Sequence, residues 1–176
     1  MSVRSEVLLL GGRSGVGKSS VGYEVHARLS ATGIRHCLIE GDFLDMAFPP
    51  PWEHGLAEQN LAAMWANYRA LDYHRLIYTN TVSVLDPVIA SLTAAMGERP
   101  RASAILLRCS DESARHRLGR REIGSELEHH LDRSRAMAER LDRDAPSWVR
   151  RIDTDARSVT DIATDVIDHI GWSHNP

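Results

Sequence analysis

Gly12-Arg13-Ser14-Gly15-Val16-Gly17-Lys18-Ser19 matches the pattern G-x-x-x-x-G-K-[ST] (the Walker A motif) without a gap. The glycines let the backbone wrap tightly enough for successive N–H groups to point into one concavity. A helix beginning at the end of such a loop aims its positive end at the same place, so the whole is a ready anion site. Lys18 adds a mobile point charge for β- and γ-phosphates, and the Ser19 hydroxyl is suited to Mg²⁺. A chance match in a chain of this length is below about 1%. Residues Gly12 to Ser20 are therefore the expected nucleotide-binding segment, with Lys18 also in a catalytic role.

Phosphoryl transfer is mostly positioning and charge neutralisation, with an acid or base beside the nucleophile. Three later features fit those needs. Asp42 follows an apolar run directly and would lie at the carboxyl edge of a sheet, near the glycine-rich loop. There it would take a proton from an acceptor hydroxyl or hold a water on Mg²⁺; the other role open to it is capping a short turn that starts at Phe43. Asp45 is a second choice for the same work. Arg117 and Arg121 are four residues apart and share a helix face, in a segment loosened by Gly119 and Gly124. They either close over a transferring phosphoryl group or form a solvated face. Asp153-Thr154-Asp155-Ala156 either frames a base through backbone groups or caps the helix that begins near Ser158.

Composition bounds these readings. The chain has 176 residues, 43% hydrophobic and 26% charged, with a formal net charge of −3. This is enough for one domain with a real core, and a general nucleic-acid surface is excluded for want of a basic excess. Of the 21 basic residues, all but one are arginine, and the exception is Lys18. No apolar run approaches the ~20 residues that span a bilayer, and no signal-peptide pattern opens the chain. Cys37 and Cys109 sit apart in apolar segments and read as buried cytosolic thiols rather than a disulfide. A cytoplasmic protein with no membrane or nucleic-acid partner is expected. His129-His130 lacks the HExxH spacing and gives no metal site.

The elements that must position these residues alternate. Strands are predicted over Glu6–Leu10, Arg35–Glu40, Leu76–Thr79, Ala104–Leu107 and Trp148–Ile152. Helices are predicted over Lys18–Ala31, Leu56–His74, Asp86–Met96, Asp111–Leu118, Ser125–Leu141 and Ser158–Ile170, with Phe43–Gly55 irregular. Such alternation specifies an α/β domain with a parallel sheet, helices on both faces and ligands at the carboxyl ends of the strands. The reading is one domain over residues 1–176, with a lid segment at about 117–128 and an acceptor region at about 43–75.

These features together resemble the P-loop small-molecule kinases: the gluconate kinase, shikimate kinase, adenylylsulfate kinase and chloramphenicol phosphotransferase group. The outline covers most of the chain. Gly41-Asp42 is similar to the Gly-Asp of gluconate and adenylylsulfate kinases, Arg117-Leu118-Gly119-Arg120-Arg121 to the R-L-x-x-R that opens the gluconate kinase lid, and Ile152-Asp153-Thr154 to the final strand and base-binding loop. The resemblance implies a three-layer α/β/α P-loop NTPase domain with strand order 2-3-1-4-5. It implies ATP and Mg²⁺ as cofactors and a small hydroxyl-bearing acceptor meeting Asp42. One departure stands out. Where many P-loop proteins place an acid after the third strand, this chain reads Thr79-Asn80-Thr81-Val82-Ser83, and the nearest acid is Asp86. Metal binding then falls to Ser19 and Asp42.

In the acceptor region, Trp52 beside Pro49-Pro50-Pro51 is the pocket candidate and Arg69 the candidate holder of an anionic group, while Trp65 and Tyr68 read as core packing. The leading expectation is an ATP-dependent kinase for a small molecule. The alternative is an ATP-binding sensor, or a resistance protein that sequesters an antibiotic without phosphoryl transfer. A GTPase is disfavoured because N-K-x-D is absent, and a motor by the lack of a second catalytic acid. The sequence does not set the oligomeric state.

Overall fold

Val7 and Leu9 face one way along the first strand and Leu8 and Leu10 the other, yet all four are buried. A strand buried on both faces needs a layer of helices on each side, and the computed structural model, which describes residues 4–120 and 125–172, has that arrangement. Its strands are β1 (Glu6–Gly11), β2 (Cys37–Glu40), β3 (Arg75–Thr79), β4 (Arg101–Arg108) and β5 (Arg150–Asp153). Its helices are α1 (Lys18–Ala31), α2 (Leu56–Ala70), α3 (Asp86–Met96), α4 (Asp111–Gly119), α5 (Ser125–Asp144) and α6 (Val159–Ile170). All strand pairs are parallel, in the order β2-β3-β1-β4-β5. On one face Val7, Leu9, Leu76 and Leu106 meet Leu61 and Trp65 of α2, Leu92 of α3 and Leu141 of α5. On the other, Leu8, Leu10, Ile77 and Ile105 meet Val21 and Val25 of α1 and Ile162 and Val166 of α6. Trp65, 2% exposed, and the half-buried Tyr68 pack as expected.

Register brings the site together. Leu10 pairs with Thr79, and Thr79 with Glu40. The carboxyl ends of β1, β3 and β2 therefore fall on one line, and the connections leaving them share one edge of the sheet.

Several boundaries differ from expectation: β4 begins three residues earlier, at Arg101, and α5 runs three further, to Asp144, while three others have a local reason. α2 stops at Ala70 rather than His74, because Leu71 and Tyr73 both turn their N–H groups back to the Tyr68 carbonyl and Asp72 takes a left-handed φ of 68°. β2 begins at Cys37 rather than Arg35; the preceding His36 ring is bonded to the Ile34 carbonyl at 2.7 Å. β5 begins at Arg150 rather than Trp148, since the Val149 N–H closes a turn onto Pro146. Two short 3₁₀ turns, Gly41–Phe43 at its start and Trp52–His54 near its end, border the stretch 43–55. Both cysteines are free thiols, and burial pushes Cys37 up to about 12. Among the described residues no helix is long and apolar enough to cross a membrane.

Candidate active site

The loop between β1 and α1 follows from steric limits on its backbone. Gly12 has φ +145°, and a Cβ there would lie 2.6 Å from the Leu107 carbonyl oxygen. Only glycine fits so close to β4 at that angle. Lys18 opens α1, and its ammonium folds back across the loop, donating to the Gly12 and Arg13 carbonyl oxygens at 2.9 and 3.2 Å. The loop borders a cavity of about 490 Å³ whose lining includes Ser14, Gly15, Lys18, Ser19, Asp42 and Arg117. Val16, Gly17 and Ser20 also line it.

Asp42 reaches the cavity from the turn after β2. Its Oδ1 accepts a hydrogen bond from Asn80 Nδ2 at 2.7 Å. Asn80 is itself fixed: its N–H donates to the Leu10 carbonyl at 3.1 Å, and its Oδ1 accepts from the Val82 N–H at 3.0 Å. The turn at Gly41–Phe43 has no side-chain cap, so the capping role for Asp42 is overturned. Asn80 fills the position after β3 where the sequence lacks an acid, and it orients the acid in the turn after the neighbouring strand. Gly41 lets this turn sit down on the sheet. A Cβ there would lie 2.5 Å from Tyr78 Cζ and 2.9 Å from the Thr79 carbonyl oxygen. Gly41→Ala is expected to lower stability by about 1–3 kcal/mol through overpacking, read as a lower thermal midpoint.

Glu40 is the residue the sequence reading missed. It is the last residue of β2, and its Oε2 accepts from Thr79 Oγ1 at 2.5 Å and from Ser19 Oγ at 3.2 Å. Its Oε1 is buried without a hydrogen-bond partner among the described residues. A buried carboxylate oxygen left unpaired beside the Ser19 hydroxyl suits a cation. Glu40's charge also raises the Tyr23 phenol above its ordinary range. No local signal marks it, because Glu40 reaches Thr79 and Ser19 only through the pairing of β2 with β3. Among the described residues no group of three or more His, Cys, Asp and Glu side chains is placed to hold a metal by itself.

On the far side, Arg117 of α4 binds the loop and the β5–α6 connection together. It donates to the Val16 carbonyl and to Thr154 Oγ1, both at 3.0 Å, and to the Thr154 carbonyl at 3.3 Å. Thr154 is fully buried and lines the cavity. Its neighbours do not cap α6: Asp155 accepts from the Ser110 N–H and Asp153 from Arg108, while Ser158 caps the helix through the Asp161 N–H.

Three expected residues lie elsewhere. Arg13 turns its side chain away from the cavity. It is 3% exposed, donates to Ser134 Oγ at 2.9 Å and pairs with Asp111, whose carboxyl it holds below the usual range, with help from Arg135. Ser134 Oγ in turn donates to the Ser14 carbonyl at 3.0 Å, so Arg13 anchors the loop to α5. Arg69 sits at the opposite, amino edge of the sheet, bonded to Glu98, His74 and the Tyr73 carbonyl. Helix α2 runs back from the carboxyl edge, and Arg69 is in its last turn. Trp52 is 76% exposed on its 3₁₀ turn and lines no part of the cavity. Arg121 and residues 121–124 of the expected lid lie outside the described residues, although Arg120 lines the cavity.

No protein-family model matches the sequence, and neither does any curated protein. Solved structures do. The tunicamycin resistance protein of Deinococcus radiodurans aligns over 98% of this chain and 99% of its own, at 18% identity and a TM-score of 0.67. A gluconokinase from Sinorhizobium meliloti aligns over 97% and 94%, at 18% identity and a TM-score of 0.61. The Mycobacterium tuberculosis APS kinase, solved in complex with AMPPNP and APS, aligns over 97% and 100%, at 19% identity and a TM-score of 0.56. Likeness at this level of identity speaks for architecture, and it agrees with the sheet order. The chain has the fold of the P-loop small-molecule kinase group.

Proposed function

We propose that the protein is an ATP-dependent phosphotransferase acting on a hydroxyl group of a small molecule. One observation carries the reading: the Lys18–Ser19 end of the glycine-rich loop and the oriented carboxylate of Asp42 line the same cavity. The nucleotide with Mg²⁺ supplies, when bound, a transferable γ-phosphoryl group and neutralisation of its charge. Ser19 and Glu40 are the residues suited to hold the metal, which leaves Asp42 for the proton. Lys18 leaves its two carbonyl partners to meet phosphate oxygens, and Arg117 stands ready to meet charge that develops between them. With Asp42 Oδ1 held by Asn80, Oδ2 accepts the acceptor's hydroxyl proton as that oxygen bonds to phosphorus and the β–γ bridging bond breaks, releasing ADP. A cytoplasmic setting, where ATP is available, accords with this chemistry.

The test is a panel of hydroxylated metabolites and antibiotics screened for ATP consumption and product mass. A product heavier by one phosphate is expected. Ligand binding without ATP consumption would favour the second reading, a sensor or sequestering protein. Asn80, where many P-loop enzymes carry an acid, is the observation that supports it.

A further inference from the structure

The acceptor side of the cleft differs in charge from the rest of the molecule. Arginines are frequent in this chain, yet no arginine or lysine occurs between Arg35 and Arg69, or between Arg75 and Arg99; the first interval holds the histidines His36 and His54. Those two intervals contain both connections that leave the carboxyl ends of β2 and β3. The basic residues that flank them belong to the other edge of the sheet. Arg35 pairs with Asp72, Arg69 with Glu98, and Arg75 and Arg101 with Glu6. The cations that line the cavity, Lys18, Arg117, Arg120 and Arg157, come from α1, α4 and the segments beside them on the phosphate side.

The acceptor side carries carboxylates and bare apolar surface instead. Asp42, Asp45, Glu53 and Glu58 all fall within the connection and the first turn of α2. Asp42, Glu58 and Asp45 act together on one atom group at the edge of the sheet: after burial itself, their charges push the Tyr78 phenol above its ordinary range. Phe43 and Met46 are 68% exposed, Phe48 is 96% exposed and Trp52 76%. None of the four lines the cavity itself, but Phe43 follows the cavity residue Asp42 directly, and large side chains left in water so close together in sequence mark a surface that receives something. Pro49-Pro50-Pro51 restricts the backbone that presents them.

Aromatic faces beside carboxylates recognise ammonium groups, through ring quadrupoles and direct charge pairing. A carboxylate, sulfate or phosphate group on the acceptor would meet no arginine or lysine there, only His54 among titratable bases, and several like charges. We infer that the acceptor is a hydroxyl-bearing amine with an apolar or aromatic body, and that anionic acceptors are excluded. The inference rests on the kinase reading for the place of the acceptor. The charge pattern of that place is independent of whether phosphate is transferred.

The experiment uses three probes of one shape: phenylethanolamine, styrene glycol and mandelate, which carry an ammonium, a neutral and a carboxylate group beside the same hydroxyl and ring. Binding to the full chain with Mg²⁺ and a non-hydrolysable ATP analogue is measured by calorimetry, and phosphate incorporation with ATP is measured separately. The amine is expected to bind at least about tenfold more tightly than mandelate, which corresponds to about 1.4 kcal/mol, with the glycol between them. The double variant Asp45→Lys/Glu53→Lys, checked for an unchanged thermal midpoint, is expected to reverse the order of amine and mandelate. Mandelate or glycol binding as tightly as the amine, or no binding by any probe, overturns the inference. Binding of the amine without phosphate incorporation from ATP leaves the charge preference standing and counts against the kinase reading. Phosphorylation of mandelate in preference to the amine does the reverse.

Discussion

Asp42→Asn is expected to reduce phosphoryl transfer by about 10²–10⁴-fold, the usual contribution of a positioned general base, while ATP affinity stays nearly unchanged. The substitution keeps the side chain's shape. Asn80 Nδ2 now holds the carboxyl oxygen at 2.7 Å, and an amide oxygen would accept the same bond. What is lost is the proton acceptor at the other atom. Single-turnover transfer and equilibrium nucleotide binding, measured on the same preparation, separate the outcomes. Equal loss of both would assign Asp42 to metal binding instead, and loss of neither would sink its assignment.

Lys18→Ala is expected to weaken nucleotide binding by about 10–100-fold, since hydrogen bonds to charged groups contribute about 1.5–3 kcal/mol each. The loss should show as a smaller ATP-induced rise in thermal midpoint. An unchanged rise would refute the role of the loop. Lys18→Arg should not restore binding. The ammonium reaches between the Gly12 and Arg13 carbonyls at 2.9 and 3.2 Å, a space that a planar guanidinium with a fixed fork does not share. Because Lys18 is the only lysine, an amine-acylating reagent has just this side chain and the N-terminus to modify, and ATP should protect Lys18. Equal modification with and without ATP would contradict its place in the nucleotide site.

Local signals made the layers readable. A four-residue apolar run buried on both faces, glycines at the ends of strands and helical spacing at Val21, Val25 and Leu29 are written into neighbouring residues. The glycine-rich loop is legible for the same reason, because all its chemistry lies within one stretch of chain. The rest of the site is assembled by register and by helix direction. Glu40 meets Ser19 and Thr79 only once β2 is paired with β3, and Asn80 meets Asp42 only across that pair. Arg69 illustrates the converse error. It lies among aromatics of the acceptor region in sequence, but α2 carries it the length of the sheet to the other edge, where it pairs with Glu98. Arg13 belongs to the motif by position, while burial and the charge of Asp111 direct its side chain elsewhere.

The joint formed by Arg13, Ser134 and Ser14 has a thermodynamic consequence. Ser134 of α5 accepts from Arg13 and donates to the Ser14 carbonyl, so the phosphate-side loop and the helix that follows residues 121–124 share one buried hydrogen-bonded seat. A change in the loop that alters this seat is felt by α5, and linkage makes the effect mutual: whatever stabilises one position of α5 must change the loop's affinity by the same factor. The interior of the protein thus ties the hold on an anion to the stance of a helix whose outer surface is free to be touched by something else.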